Sequence, residues 1–309
     1  MIRPKALTKG ATIGLISASG ATPPEKLYPA IVSIEKLGFN VIVGETCRAR
    51  HGYLAGSDEL RAHDVNEMFR NPQVDGVFCI RGGYGATKIL PRLDFEMIKN
   101  NPKVFAGYSD VTALHIAFNQ KCGFVTYHTP MPSTEFIAQN MDQFTWDSFM
   151  KQVMATDNNC LLLNPPHQPM TTLVTGKATG QLVGGNLTLI TASLGTPYEI
   201  DTKDKILFLE DIDESEQRVD RMLTQLKLAG KLDEAQGLLL GAWTNCGPDH
   251  PEHPERSLSL NTIFEEILVP LKKPILMDLA CGHCLPTMSL PLGRTITVHA
   301  ETQKIKVIG

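Results

Sequence analysis

The segment Val104-Phe105-Ala106-Gly107-Tyr108-Ser109-Asp110 ends a short apolar run with a serine, and the residues from Val111 to Phe118 follow with helix-compatible spacing. A serine on a sharp strand-to-helix turn is a candidate nucleophile. Such a turn holds the hydroxyl clear of the sheet, and the free N–H groups of the first helical turn can stabilise an oxyanion. Gly107 is the small residue such a turn wants. The hydrolase elbow reads Gly-x-Ser-x-Gly, and no second glycine follows Ser109 here, so a helix-capping serine is the competing reading. Upstream, Gly76-Val77-Phe78-Cys79-Ile80 reads as another strand that ends in Arg81-Gly82-Gly83-Tyr84-Gly85. That loop is either a tight turn or a place where backbone amides approach a reacting centre unhindered by side chains.

Two further segments carry the groups a serine nucleophile needs. Lys205-Ile206-Leu207-Phe208-Leu209 reads as a buried strand that delivers Glu210, and Pro274 to Leu279 reads as a strand followed by Ala280-Cys281-Gly282-His283-Cys284. The order serine, acid, histidine is one of several in which acyl-transfer triads occur, and order alone proves nothing. The bland readings are a solvated helix start for Glu210 and a surface or structural role for His283. Seven cysteines, at 47, 79, 122, 160, 246, 281 and 284, suit reduced thiols better than a disulfide framework. Cys281 and Cys284 form a C-x-x-C pair that could bind zinc with His250 and His253, or do redox chemistry. Without a second C-x-x-C, incidental thiols beside a histidine are the better expectation, and no metal or cofactor is expected.

Taken together, the opening strand Ala11-Thr12-Ile13-Gly14-Leu15-Ile16, the Arg81 to Gly85 loop, the Gly107 to Asp110 turn, Gly184-Gly185-Asn186-Leu187, the Glu210 strand and Gly282-His283 resemble the LD-carboxypeptidase family of serine peptidases, over nearly the whole chain. Its members include muramoyl-tetrapeptide carboxypeptidases and microcin-immunity peptidases. The resemblance implies Ser109 as nucleophile, His283 as general base and Glu210 as its orienting carboxylate. It also implies a bond cleaved between an L-configured centre and a D-amino acid, as in murein tetrapeptides losing D-alanine. The amides of Gly83 and Asp110 are the expected oxyanion donors, and Arg81, Tyr84 and Asn186 the expected substrate contacts. Cys281 and Cys284 depart from the family pattern. Two other readings stand beside this one. A related enzyme could cleave microcin-type peptidyl-nucleotides, using an aromatic platform such as Trp146 or Trp243, or a two-domain chain could bind a small molecule without catalysis.

These residues must be held by elements, and the chain alternates them. A strand at Ile13 to Ile16, a helix from Glu25 to Leu37 ended by Gly38, and a strand at Asn40 to Val43 open a βαβ pattern. A helix at Leu60 to Phe69, the Gly76 strand, a helical segment from Ala86 to Arg92 and the Val104 strand continue it. This predicts an N-terminal parallel-sheet α/β domain of flavodoxin-like or Rossmann-like type over residues 1–155, with its site at the carboxyl ends of the strands. The polar, proline-bearing stretch 156–172 reads as a linker to a smaller C-terminal α/β or β-rich domain, 173–309. That domain is expected to hold a helix from Glu214 to Ala229 capped by Gly230, a strand from Gly237 to Trp243, a helix from Asn261 to Leu268 and two closing strands around Ala300 to Gln303.

Composition sets outer limits. The 309 residues are 42% hydrophobic, enough for one large or two ordinary cores, and 29 basic against 33 acidic residues give a formal net charge of −4. No broad basic surface for nucleic acid follows from that balance. No segment approaches the roughly 20 apolar residues that span a bilayer. Arg3, Lys5 and Lys9 before Ala11 to Ile16 imitate a signal peptide, but the apolar stretch is short and reads better as the first strand. The expected setting is cytoplasmic, with a small peptide substrate, no nucleic-acid or membrane partner, and a homodimer left open.

Overall fold

The computed structural model describes residues 1–139, 141–154 and 159–308. In chain order the elements begin β1 (Thr12–Ile16), α1 (Pro24–Lys36), β2 (Asn40–Val43), α2 (Asp58–Arg70), β3 (Gly76–Cys79), α3 (Ala86–Ile89), α4 (Phe95–Asn100), β4 (Val104–Gly107), α5 (Thr112–Ala117), β5 (Thr126–His128) and α6 (Gln143–Met154). They continue with β6 (Cys160–Leu162), β7 (Thr171–Val174), β8 (Lys177–Asn186), α7 (Leu187–Ala192), β9 (Lys205–Ile212), α8 (Glu216–Leu228), α9 (Lys231–Glu234), β10 (Gly237–Thr244), α10 (Leu260–Leu268), β11 (Ile275–Met277), β12 (Leu290–Leu292), β13 (Thr295–His299) and β14 (Lys304–Ile308). Among the described residues no helix is long and apolar enough to cross a membrane.

The chain forms two compact units, Met1–Thr156 with Leu285–Gly293, and Asp157–Cys284 with Arg294–Gly309. In the first, the sheet order is β12-β5-β4-β3-β1-β2. Strands β1 to β5 run parallel, and β12 adds to β5 as an antiparallel edge strand, Leu290 opposite His128 and Leu292 opposite Thr126. The parallel part therefore follows the flavodoxin-like order, whose strand order reverses between β1 and β3 and leaves a crevice at their carboxyl ends. Local chemistry fixes the helices between the strands. Ser57 caps α2 by accepting the Leu60 N–H, acidic Asp58 and Glu59 occupy the first turn, and Arg70 the last. That cap starts the helix at Asp58, two residues ahead of where its apolar spacing begins. Below β4, Phe69, Phe105, Phe118 and Phe124 pack ring to ring with centroids 4.9 to 6.1 Å apart.

The second unit is built on an eight-stranded sheet, β6-β14-β13-β8-β9-β10-β11-β7. Its centre, β8 to β11, is parallel, and the outer strands add antiparallel. The stretch 156–172, expected to link two domains, begins with residues 156–158 outside the described ones. In its remainder Cys160–Leu162 is an edge strand on β14, because Leu162 is buried and its backbone finds a partner there. Asn164 ties the same stretch to the Asp278 carbonyl and the Ala280 N–H.

Candidate active site

Ser109 lies one residue, Tyr108, beyond β4 and opens a 3₁₀ turn, Ser109–Val111, that runs into α5. Its φ is +66°, a left-handed backbone that a serine adopts rarely and at a cost of about 1–3 kcal/mol. The strand end before it is tied down. The Gly107 carbonyl, two residues earlier, accepts from the Thr129 N–H at 3.1 Å and from the buried His115 ring at 2.9 Å. Burial holds the His115 pKa down at about 4, so the ring is neutral and its Nε2–H is the donor.

The glycine loop lies against this turn. A Cβ on Gly82 would sit 2.9 Å from the Ser109 Cβ and 3.0 Å from its Oγ, so only glycine fits beside the hydroxyl. Gly83 takes a φ of +118° and packs on Gly20, whose N–H donates to the Gly82 carbonyl at 3.2 Å. Arg81 is half-buried and braces the loop, with Nη1 donating to the Ala21 carbonyl at 2.9 Å and Nε to that of Gly82. Tyr84 is exposed, its ring 5.9 Å from that of Tyr53. Asp110, buried beside the candidate nucleophile, accepts the Ala86 N–H at 2.8 Å. Burial pushes its carboxyl pKa up, opposed by the Ser19 hydroxyl, the N–H groups of Ala86 and Gly85, and the charge of Arg61.

In the second unit, β9 carries Glu210, which is fully buried. Its Oε2 accepts from His283 Nδ1 at 2.7 Å and from the His283 backbone N–H at 3.3 Å. A carboxylate at that distance favours the proton on Nδ1, and the ring retains 13% side-chain exposure. One glycine makes room for the pair and another for the strand that carries it. A Cβ on Gly282, whose φ is +113°, would fall 2.5 Å from Glu210 Oε2, and one on Gly184 in the neighbouring β8 would fall 1.9 Å from the Phe208 carbonyl oxygen. The Thr244 hydroxyl donates to the His283 carbonyl at 2.5 Å, fixing the loop from the other side.

Asn186, expected at the substrate, is buried, and both ends of its amide are engaged inside the protein. Its Oδ1 caps α7 by accepting the Leu189 N–H at 3.1 Å, and its Nδ2 donates to Asp211 Oδ1 at 2.7 Å. Asp211 also accepts from Ile212, and from both the N–H and the hydroxyl of Thr188. Burial nonetheless pushes its pKa up. Cys281 is buried and its thiol pKa is raised well above the ordinary value by desolvation, whereas Cys284 is half-buried. Among the described residues, no group of three or more His, Cys, Asp or Glu is arranged to hold a metal ion. Trp146 and Trp243, the two aromatic-platform candidates, pack on Phe136 and Phe264 respectively.

Sequence reading missed Arg61, Asp211 and His115. Arg61 sits in a polar helix whose pattern predicts a solvated face, and His115 carries no motif. Asp211 had one usable signal, its position beside Glu210 at the end of a strand.

The chain matches the family models of the LD-carboxypeptidase N-terminal domain over residues 13–129 and of the LD-carboxypeptidase C-terminal domain over residues 179–298. It is 43% identical over 291 residues to a protein of Bacillus subtilis named a probable murein peptide carboxypeptidase, covering 94% of this chain and 89% of that one. The microcin C7 self-immunity protein MccF of Escherichia coli is 26% identical, over 97% of this chain and 94% of its own. The crystal structure of muramoyltetrapeptide carboxypeptidase from Oxalobacter formigenes superposes with a TM-score of 0.84 at 30% identity, covering 97% of this chain and 99% of that one.

Proposed function

The chain belongs to the LD-carboxypeptidase family, and on that premise we propose that it is a serine carboxypeptidase that cleaves the amide bond between an L-configured centre and a terminal D-amino acid, releasing D-alanine from murein tetrapeptide. The observation that carries the reading is Ser109, held at a φ of +66° on a strand-to-helix turn with Gly82 pressed against its hydroxyl. The His283–Glu210 pair, with its proton on Nδ1, adds a base of the right tautomer.

In this reading Ser109 Oγ attacks the scissile carbonyl as its proton passes to His283 Nε2. Glu210 orients the imidazole and stabilises the imidazolium. The amides of Gly83 and Asp110 receive the oxyanion; losing one such donor typically costs about 2.7 to 4 kcal/mol of transition-state stabilisation. The imidazolium then protonates the departing D-amino acid, and water, activated by the same histidine, resolves the acyl-enzyme. Arg81, Tyr84 and Asn186 are the proposed substrate contacts, Asn186 being also bonded to Asp211 next to Glu210. The proposal places the reaction in the cytoplasm as a step of peptidoglycan recycling, without metal or cofactor, in a monomer or a homodimer.

Incubation with murein tetrapeptide, read by mass spectrometry, tests the reading. D-alanine is expected from the wild type and none from a folded Ser109→Ala protein. Turnover close to wild type in that variant rejects the nucleophile, and release of an aminoacyl group from a peptidyl-nucleotide, with tetrapeptide untouched, moves the substrate to the microcin type.

A further inference from the structure

One peptide unit in the first compact unit has both of its polar groups held by buried side chains, one a guanidinium and the other a carboxyl group. The Gly85 carbonyl accepts from Arg61 Nη1 at 2.7 Å, and the N–H of the same peptide, on Ala86, donates to Asp110 Oδ2 at 2.8 Å. Both side chains are buried, Asp110 at 1% and Arg61 at 0% exposure. Arg61 Nη1 also donates to the Ala18 carbonyl at 2.7 Å, and its Nη2 pairs with Asp58. The fit is close: Gly85 has a φ of +125°, and a Cβ there would lie 2.7 Å from Arg61 Nη1. Burying a cation and an anion is costly unless each is well bonded, and a peptide clamped between them has its plane fixed.

The position of this peptide gives the clamp its consequence. It lies two residues beyond Gly83, and the carboxyl group that holds it belongs to the residue following Ser109. Building on the Ser109 reading, we propose that the Asp110 carboxylate and Arg61 are positioning residues: together they fix the glycine loop against the nucleophile turn, so that the Gly83 amide meets the oxyanion at hydrogen-bonding distance. Asp110 thereby acts twice, its backbone N–H as donor and its side chain as the tie that places the second donor. Oxyanion donors contribute only when aimed at the developing charge, and a displacement of about 1 Å can cost ~100-fold in rate.

Asp110→Ala, Asp110→Asn and Arg61→Lys test this on the whole protein with murein tetrapeptide. Asp110→Ala is expected to lower kcat by about 10- to 100-fold with KM within about threefold. Asp110→Asn, whose amide oxygen can still accept the Ala86 N–H, is expected to recover part of that loss. Arg61→Lys keeps the charge but not the fork, and is expected to lose kcat as well. A boronic-acid analogue that forms a tetrahedral adduct should weaken in step with kcat/KM, a change that a purely structural role would not produce once activity is counted per folded molecule. Asp110→Ala and Asp110→Asn proteins with wild-type kcat and boronate affinity overturn the proposal. If Asp110→Ala does not fold, Asp110→Asn alone decides it by the same measurements. Ser109→Ala runs alongside: activity there removes the nucleophile reading itself, whereas an inactive Ser109→Ala with fully active Asp110 variants removes only the clamp.

Discussion

Gly82 and Gly282 stand where a methyl group would strike a side chain of the candidate chemistry, and each carries a prediction. At Gly82 the obstacle is steric alone, since an added methyl carbon would lie 2.9 Å from Ser109 Cβ and 3.0 Å from its Oγ. Gly82→Ala is therefore expected to keep its thermal transition near that of the parent while kcat falls by about 10- to 100-fold, because the serine rotamer or the loop must shift. Steady-state kinetics beside a melting curve checks it, and unchanged kcat would show that the hydroxyl does not need its present position. At Gly282 backbone strain is added to contact. The φ is +113° and the Cβ would meet Glu210 Oε2 at 2.5 Å, so Gly282→Ala should lose stability by about 1–3 kcal/mol and activity toward the level of Glu210→Gln. A Gly282→Ala protein as active as the parent, with Glu210→Gln impaired, would mean that the carboxylate tolerates displacement.

At the scale of elements, what was legible in the sequence was the strand that ends in chemistry. β3, β4 and β9 are short apolar runs that lead to Arg81-Gly82, Ser109 and Glu210, β9 continuing two residues past Glu210 to Ile212, and burial on both faces of a parallel sheet demands such runs. β8 was not legible, since Gly180, Gly184 and Gly185 break its pattern; at Gly180 and Gly184 the backbone leading into and along β9 passes too close for a side chain. The brace beneath β4 was equally hidden, because His115 is an isolated ring on a six-residue helix. It has a measurable signature. His115 binds no proton in the native state until about pH 4, whereas the unfolded ring takes one up below about 6.5. Between those values the unfolded state binds more protons, so stability rises with pH, is fully present above about 6.5, and falls as the solution is acidified toward 4. The shift corresponds to about 3 kcal/mol. Denaturant unfolding at pH 7 and pH 4.5 should show a smaller pH difference in His115→Gln than in the parent, and equal differences would place the acid sensitivity elsewhere.

For the molecule as a whole, the chain does not complete its first compact unit until near its end. Leu285–Gly293 belongs to that unit although 128 residues of the second, Asp157–Cys284, lie between. A linear reading that divides the chain once could not anticipate this, and Leu290-Pro291-Leu292 carries little strand signal because proline is confined to edge strands. The segment is nonetheless densely tied. Leu290 and Leu292 are buried; the Thr287 and Ser289 N–H groups donate to Thr145 Oγ1 and Ser148 Oγ, each at 2.8 Å; and the Ser289 hydroxyl bonds that of Thr129 at 2.7 Å. Without it, a 1–156 fragment would bare the open edge of β5, two leucine sites worth about 1.5–3 kcal/mol apiece, and several buried polar groups. That fragment alone is expected to aggregate or to melt without cooperativity, whereas the same fragment joined through a flexible glycine-serine linker to residues 285–293 should be more soluble and melt at a higher temperature. Size-exclusion chromatography and far-UV circular dichroism melts of the two decide it. A monomeric 1–156 fragment with a transition as sharp and as high as that of the joined form would show that the parallel five-stranded sheet is sufficient, and that the late strand only decorates its edge.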